Sequence, residues 1–277
     1  MSALPHPHPA PRDPLTPPQT AVPVIGLAHG SRHAEGGAAI EQLMDAVAQA
    51  GGMPATYAFL DLAEPDLHTA AAAVVAAGHH RAVVVPLLFT VAFHSTIDVP
   101  QAVHAAAETS GLELTVADIL GTGDDIADLL TAGLAGVEEP RGARGVSPRD
   151  WTQPREYSVM LYAVGSSNPA ANAAVTDLAV RLQAARDPHE GVPGGRPAVR
   201  AAFATCSPRP AEVIDELHEP IAVLPLFLSD GLLLDPVRAL AAERRWTMVE
   251  PLGERAAGVV LDRYRAAVHE PTDRFIQ

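Results

Sequence analysis

The chain has 277 residues, 48 % of them hydrophobic but only 4 % aromatic, and a formal net charge of -14. That length fits one large domain or two of ordinary size, and an apolar share made mostly of Ala, Val and Leu suits helices packed closely on a parallel sheet. The negative charge argues against a nucleic-acid-binding surface, and no apolar window approaches the ~18 residues of a membrane span.

The first twenty residues, MSALPHPHPAPRDPLTPPQT, hold seven prolines and have neither a basic start nor an apolar core. Residues 1–21 are therefore expected to form a disordered Pro-rich tail rather than a signal peptide, with His6 and His8 as solvated tail residues. Cys206 is the one cysteine. It permits neither a disulfide framework nor a CxxC zinc site, and a cytoplasmic location is expected.

Apolar runs alternate with Ala-rich helical patterns from residue 22 onward. Strands are expected at Pro23–His29, Ala55–Leu60, Ala82–Phe89 and Leu112–Ile119, with helices at 35–50, 66–78, 97–109 and 123–135. Such alternation predicts βαβ units and a parallel sheet. A stretch rich in Pro, Arg and Gly without apolar periodicity follows and reads as a linker, 137–157. The pattern then begins again. SVMLYAVGSSNPAANAAVTDLAVRL (158–182) parallels VIGLAHGSRHAEGGAAIEQLMDAV (24–47), VRAAFATCSPRPAEVIDEL (199–217) parallels PATYAFLDLAEPDLHTAAAAV (54–74), and IAVLPLFLSDGLLLDP (221–236) parallels AVVVPLLFTVAFHSTIDVP (82–100). Both third strands carry a proline, Pro86 and Pro225, in what reads as mid-strand. Proline is unusual there, so its recurrence points to duplication. The expected fold is α/β, with two similar lobes (22–136 and 158–277), each a four-stranded parallel sheet flanked by helices; 186–195 is an exposed loop of the second.

Open parallel sheets bind ligands at the C-terminal rim of their strands. His29 stands at the end of the first strand and His94 a few residues past the third. Ser31 and Ser95 lie close to them, and Asp98, four residues after His94, is placed to orient its imidazole. By the repeat, Val164 stands where His29 does and Leu233 roughly where His94 does, so one lobe carries imidazoles and the other apolar residues. The remaining histidines, among them His79, His80 and His104, read as solvated helix or loop residues.

The strand-end HGSR (29–32), FLDLAEPDL (59–67) and VVVPLLFTVAFHSTIDVP (83–100) together resemble the sirohydrochlorin chelatase family, which includes CbiX-type cobaltochelatases and SirB-type ferrochelatases. The resemblance runs through nearly all of 22–268, as in the long two-lobe forms. It implies a lyase that inserts a divalent metal, Fe2+ or Co2+, into sirohydrochlorin without ATP, in siroheme or cobalamin biosynthesis. The metal is then a substrate and no nucleotide is expected. The family's two active-site histidines map onto His29 and His94, as metal ligands and proton acceptors, and the acidic residue of its AEP segment onto Glu64. The second lobe lacks both histidines, so a single site is expected with that lobe as a wall. The chemistry agrees: imidazole binds Fe(II) and Co(II) well, two ligands with open positions suit metal transfer, and imidazole accepts a proton near neutrality. The substrate's many carboxylates make Arg32, with Ser31 beside it, and Arg200 or Arg209 candidate anchors. The expected partner is thus a small tetrapyrrole, with neither nucleic acid nor membrane.

Two other readings stay open at this point. A non-catalytic metal or tetrapyrrole carrier would use the same two histidines. A histidine phosphatase is disfavoured because Ala28 stands where that chemistry wants an arginine before its nucleophilic histidine. The GTGDD stretch (121–125) lacks the third glycine of a dinucleotide fingerprint.

Overall fold

The computed structural model describes residues 21–30, 34–91, 97–135, 157–186 and 198–269. All but the last residue of the expected tail and of the expected linker, and most of the 186–195 loop, lie outside these ranges. The first lobe runs β1 (Val24–Ala28), α1 (Ala34–Gly51), β2 (Ala55–Phe59), α2 (Leu67–Ala76), β3 (Arg81–Pro86), α3 (Val99–Ser110), β4 (Glu113–Val116) and α4 (Asp124–Ala135). The second runs β5 (Ser158–Ala163), α5 (Pro169–Arg186), β6 (Val199–Phe203), α6 (Pro210–Val213), β7 (Ile221–Pro225), α7 (Asp235–Arg244), β8 (Thr247–Met248) and α8 (Ala257–His269).

Both sheets have four parallel strands in the same order, β2-β1-β3-β4 and β6-β5-β7-β8. The central strands β1 and β5 are buried along their whole length, which is why they read as continuous apolar runs rather than alternating ones. Each strand nevertheless has two distinct faces. Val24, Ala28, Val83 and Val85 share one core, whereas Ile25, Leu27, Ala82 and Val84 share another. The strands are shorter than the apolar runs that announce them. Pro86 and Pro225 are not mid-strand but the last residues of β3 and β7, paired with Leu27 and Tyr162 of the central strands.

Helices α2 and α3 cover the outer face of the first sheet, and α6 and α7 that of the second. Between the sheets lies one continuous core, drawn from α1, α4, α5, α8 and both inner sheet faces. Within it the last helix of each lobe packs beside the first helix of the other, α8 on α1 and α4 against α5. Polar contacts fix this exchange. On α8, the Tyr264 hydroxyl donates to the Val22 carbonyl (2.7 Å), and the Arg263 guanidinium donates to the Ile119 carbonyl (3.0 Å), the Leu120 carbonyl (2.6 Å) and the Asp125 carboxylate (2.6 Å). On α5, Arg181 donates to the Thr122 carbonyl. Asp124 and Asp125 fill the first turn of α4, so the GTGDD stretch presents carboxylates where a phosphate would need a bare helix N-terminus.

Candidate functional site

The site begins where β1 ends. The β1–β2 ladder continues past both strands: the Leu60 N–H donates to the Ala28 carbonyl (2.9 Å) and the Asp61 N–H to the His29 carbonyl (3.0 Å). His29 is thus held on the C-terminal rim by its backbone, and its half-buried side chain plays no part in the ladder. Gly30 follows with φ +101°, and a Cβ there would lie 1.8 Å from the Asp61 carbonyl oxygen. Only glycine lets the chain turn away so tightly against β2.

The connection after β2 folds back on itself. The Phe59 N–H donates to the Pro65 carbonyl (2.9 Å), the Glu64 carboxylate accepts from the Asp66 N–H (3.1 Å), and the Asp66 carboxylate caps α2 by accepting from the Thr69 N–H (2.8 Å). Those bonds to Thr69 hold the Asp66 carboxyl below the usual carboxylate range. The arch surrounds an open cavity of about 370 Å³ with Asp61, Glu64 and Asp66 among its lining residues. Glu64 therefore lies on the rim next to the strand end that carries His29. Asp98 sits half-buried in a π-helical turn at the entrance to α3. Ser31, Arg32 and His94 lie outside the described residues. Among the described residues no cluster of three or more His, Cys, Asp or Glu side chains is placed to hold a metal.

The second lobe repeats the backbone but not the chemistry. The Ala204 N–H donates to the Ala163 carbonyl and the Thr205 N–H to the Val164 carbonyl (both 2.9 Å), and the Phe203 N–H donates to the Pro208 carbonyl (2.9 Å). Val164 is thus the structural counterpart of His29, and Gly165, at φ +85°, that of Gly30. The Arg209 guanidinium lies on this rim, donating to the carbonyls of Ala204 (2.7 Å) and Thr205 (3.1 Å). Arg200 does not. It is the second residue of β6, at the opposite end of the strand, and is bound to Glu216 (2.6 Å), so it is no candidate for anchoring a ligand at the rim.

Nine large apolar side chains are exposed among the described residues, and six stand on connections at the two rims: Leu62, Val91, Ile97, Val164, Leu232 and Leu233. Val164, the counterpart of His29, and Leu233 are each 41 % exposed. Exposed apolar groups gathered in one region mark a surface built to meet another apolar body. The rims adjoin: the Asn168 carboxamide of the second lobe donates to the Val91 carbonyl of the first (3.2 Å). Asn168 was not singled out in the sequence. Its one signal there is GSSN (165–168), standing where the first lobe has GSRH.

A family model, CbiX, matches residues 23–136 and again 158–266. Among solved structures, SirB from Bacillus subtilis with Fe3+ aligns with a TM-score of 0.65 at 23 % identity, covering 89 % of this chain and 95 % of its own. The sirohydrochlorin chelatase SirB from Bacillus subtilis subspecies spizizenii in complex with cobalt aligns at 0.68 and 21 %, covering 92 % and 99 %. DR2241 from Deinococcus radiodurans, a multi-domain protein with structural similarity to chelatases, aligns at 0.59 and 19 %, covering 92 % of this chain and 57 % of its own. No curated protein matches the chain significantly.

Proposed function

The chain belongs to the CbiX/SirB-type chelatase family, and from that premise we propose that it inserts a divalent metal, Fe2+ or Co2+, into sirohydrochlorin without ATP. The observation that carries this reading is the asymmetry of the rims. One backbone turn, built twice, ends in His29 in the first lobe and in Val164 in the second. A residue serving only the turn would have no reason to change from imidazole to isopropyl.

Insertion exchanges two pyrrole N–H protons for one M2+, so the site must deliver a cation and remove two protons. His29 and His94 hold the incoming metal through ring nitrogens, which suit Fe(II) and Co(II). As the metal passes to the macrocycle, the freed imidazoles accept the pyrrole protons. Glu64 serves as a further acceptor or ligand. Asp61 and Asp66 beside it raise the local concentration of cations without binding one tightly. Asp98 orients His94, and Arg32 and Ser31 meet the substrate's carboxylates. The apolar rim of the second lobe takes the opposite face of the ring.

The deciding experiment gives purified protein sirohydrochlorin with Fe2+ or Co2+ separately and follows the product spectrum against an enzyme-free control. Multiple turnovers with either metal are expected. Stoichiometric binding without turnover would identify a carrier instead. The wall is tested by Leu233→Asp. The Leu233 carbonyl, which accepts from the Tyr162 hydroxyl (2.9 Å), is unchanged by that substitution, so the fold should persist. Losing an apolar contact and placing a carboxylate before a polyanionic substrate should raise KM for the tetrapyrrole about tenfold, equivalent to ~1.4 kcal/mol, with kcat little altered. An unchanged KM would remove Leu233 from the substrate surface.

A further inference from the structure

We propose that Arg209, on the rim of the second lobe, binds a peripheral carboxylate of the tetrapyrrole and so anchors the ring to that lobe. The inference rests on the substrate class given above.

At this position the two lobes carry opposite charge. In the first lobe the connection after β2 returns through Pro65, whose carbonyl accepts from the Phe59 N–H, to Asp66 at the start of α2. In the second the connection after β6 returns through Pro208, whose carbonyl accepts from the Phe203 N–H, to Arg209 at the start of α6. Both residues have the same extended backbone, φ -74° and ψ 172° for Asp66 and φ -84° and ψ 164° for Arg209. The Asp66 carboxylate is needed there, because it caps α2 through the Thr69 N–H. The Arg209 side chain is not. Glu212 closes the turn by accepting from the Arg209 N–H and from the Ser207 hydroxyl.

The guanidinium turns back to the strand end instead. Its bonds to the Ala204 and Thr205 carbonyls use two of its five N–H groups. Both carbonyls belong to residues just past the end of β6. Thr205 is in turn tied to Val164, whose carbonyl accepts from the Thr205 N–H (2.9 Å) and hydroxyl (2.8 Å). The Arg209 charge also reaches the Tyr162 phenol, which burial pushes up and that charge pulls back; the same phenol donates to the Leu233 carbonyl. A cation is thus held in a set place near two exposed apolar residues of the rim, Val164 and Leu233. Arg181, Arg200, Arg238, Arg263 and Arg265 each face a carboxylate. Among the described residues the Arg209 guanidinium is bound to carbonyls alone. It is exposed, and its remaining N–H groups suit a carboxylate from outside the chain. In a chain of net charge -14, a polyanionic ring is repelled by the first lobe's arch, lined by Asp61, Glu64 and Asp66, and drawn to the second.

The test titrates metal-free sirohydrochlorin into the full chain and follows its absorbance, with Co2+ affinity measured separately. Arg209→Gln, an exposed replacement, should melt within about 2 °C of wild type. It should raise Kd for the tetrapyrrole about tenfold, as expected for losing one charge-assisted pair, and leave Co2+ affinity within twofold. Arg200→Gln is the control. It removes the same charge at the opposite end of β6 and should leave both affinities within twofold. A rise in Kd of less than threefold for Arg209→Gln would overturn the inference. So would an equal rise for Arg200→Gln, which would make the effect one of net charge, or a matching loss of Co2+ affinity, which would place the defect at the metal. Should Arg209→Gln melt well below wild type, Arg209→Lys takes its place: it keeps the charge without the fork and must still raise Kd at least threefold. If the wild-type chain binds no tetrapyrrole, the proposed function fails and takes the inference with it. If it binds and Arg209→Gln binds equally well, only the inference fails.

Discussion

Alanine at His29 or at His94 is expected to lower the catalysed rate of metal insertion at least 10²-fold while shifting the melting temperature by no more than about 4 °C. The first figure follows from removing a proton acceptor, which alone costs on the order of 10²- to 10⁴-fold, before the loss of a metal ligand is counted. The second follows, for His29, from its place in the fold. It contributes a backbone carbonyl to the Asp61 N–H, and alanine supplies the same carbonyl. Its ring stands half-buried past the last residue of β1. Replacing a half-buried side chain that leaves the backbone bonds intact costs about 1 kcal/mol, or 2–4 °C for a chain of this size. His80→Ala is the control. His80 is exposed, and its carbonyl accepts from the Glu113 N–H (3.0 Å) at the start of β3, the end of the sheet remote from the rim. It should change neither quantity. Chelation proceeds slowly without a catalyst, so all rates are compared with an enzyme-free control. Two variants that unfold, or that retain most of the catalysed rate, would make the histidines structural and remove the mechanism proposed for them.

How far these features could be read from the sequence depended on whether they were local. The order of strands and helices was legible through the third strand of each lobe because those strands are apolar runs followed mostly by Ala-rich helical patterns; β8, two half-buried residues, carries no such run. The position of His29 was legible too, since a polar residue ending such a run falls on the rim of any parallel sheet. The strand ends were less so. The run from Ala82 to Phe89 stays apolar after β3 has stopped at Pro86, because Leu87 remains buried in the core beneath the rim. Hydrophobicity reports burial, and burial does not end with the ladder. Arg200 illustrates a signal that was present and unused: at the start of a predicted parallel strand, it had to lie opposite the rim. The pairing of helices across lobes could not be read at all. The apolar face of α8 shows that the helix covers something, but periodicity is blind to which sheet it covers. The bond from Asn168 to Val91 spans 77 positions and leaves no mark on either local pattern.

That exchange of helices carries the second large expectation, that neither lobe survives alone but the two together do. A fragment ending at residue 136 keeps α4 and loses α8, so α1, which packs on α8 and whose Gly51 lies against Leu261, loses the helix that covers it. A fragment beginning at residue 157 keeps α8 and loses α4, and Leu178 and Leu182 become correspondingly bare. In each fragment the inner sheet face also loses its share of the common core. Burial contributes roughly 25 cal/mol per Å² of apolar surface, and a domain's net stability is only about 5–15 kcal/mol. Uncovering even a few hundred Å² therefore removes most of what holds a lobe folded. The buried polar contacts fail at the same time: Arg263 has no Ile119 or Leu120 carbonyl to meet, and those carbonyls have no donor from α8. Each fragment expressed singly should be aggregated or self-associated, without a cooperative transition as a monomer and without insertion activity. Co-expressed, the two should associate one to one and recover insertion, since covalent continuity through 137–156 supplies proximity and the helix exchange supplies the recognition. A monomeric 157–277 fragment with a melting temperature near that of the full chain would show that the exchanged helices are incidental to stability. Insertion by that fragment, which contains neither His29 nor His94, would show that the chemistry does not reside in the first lobe.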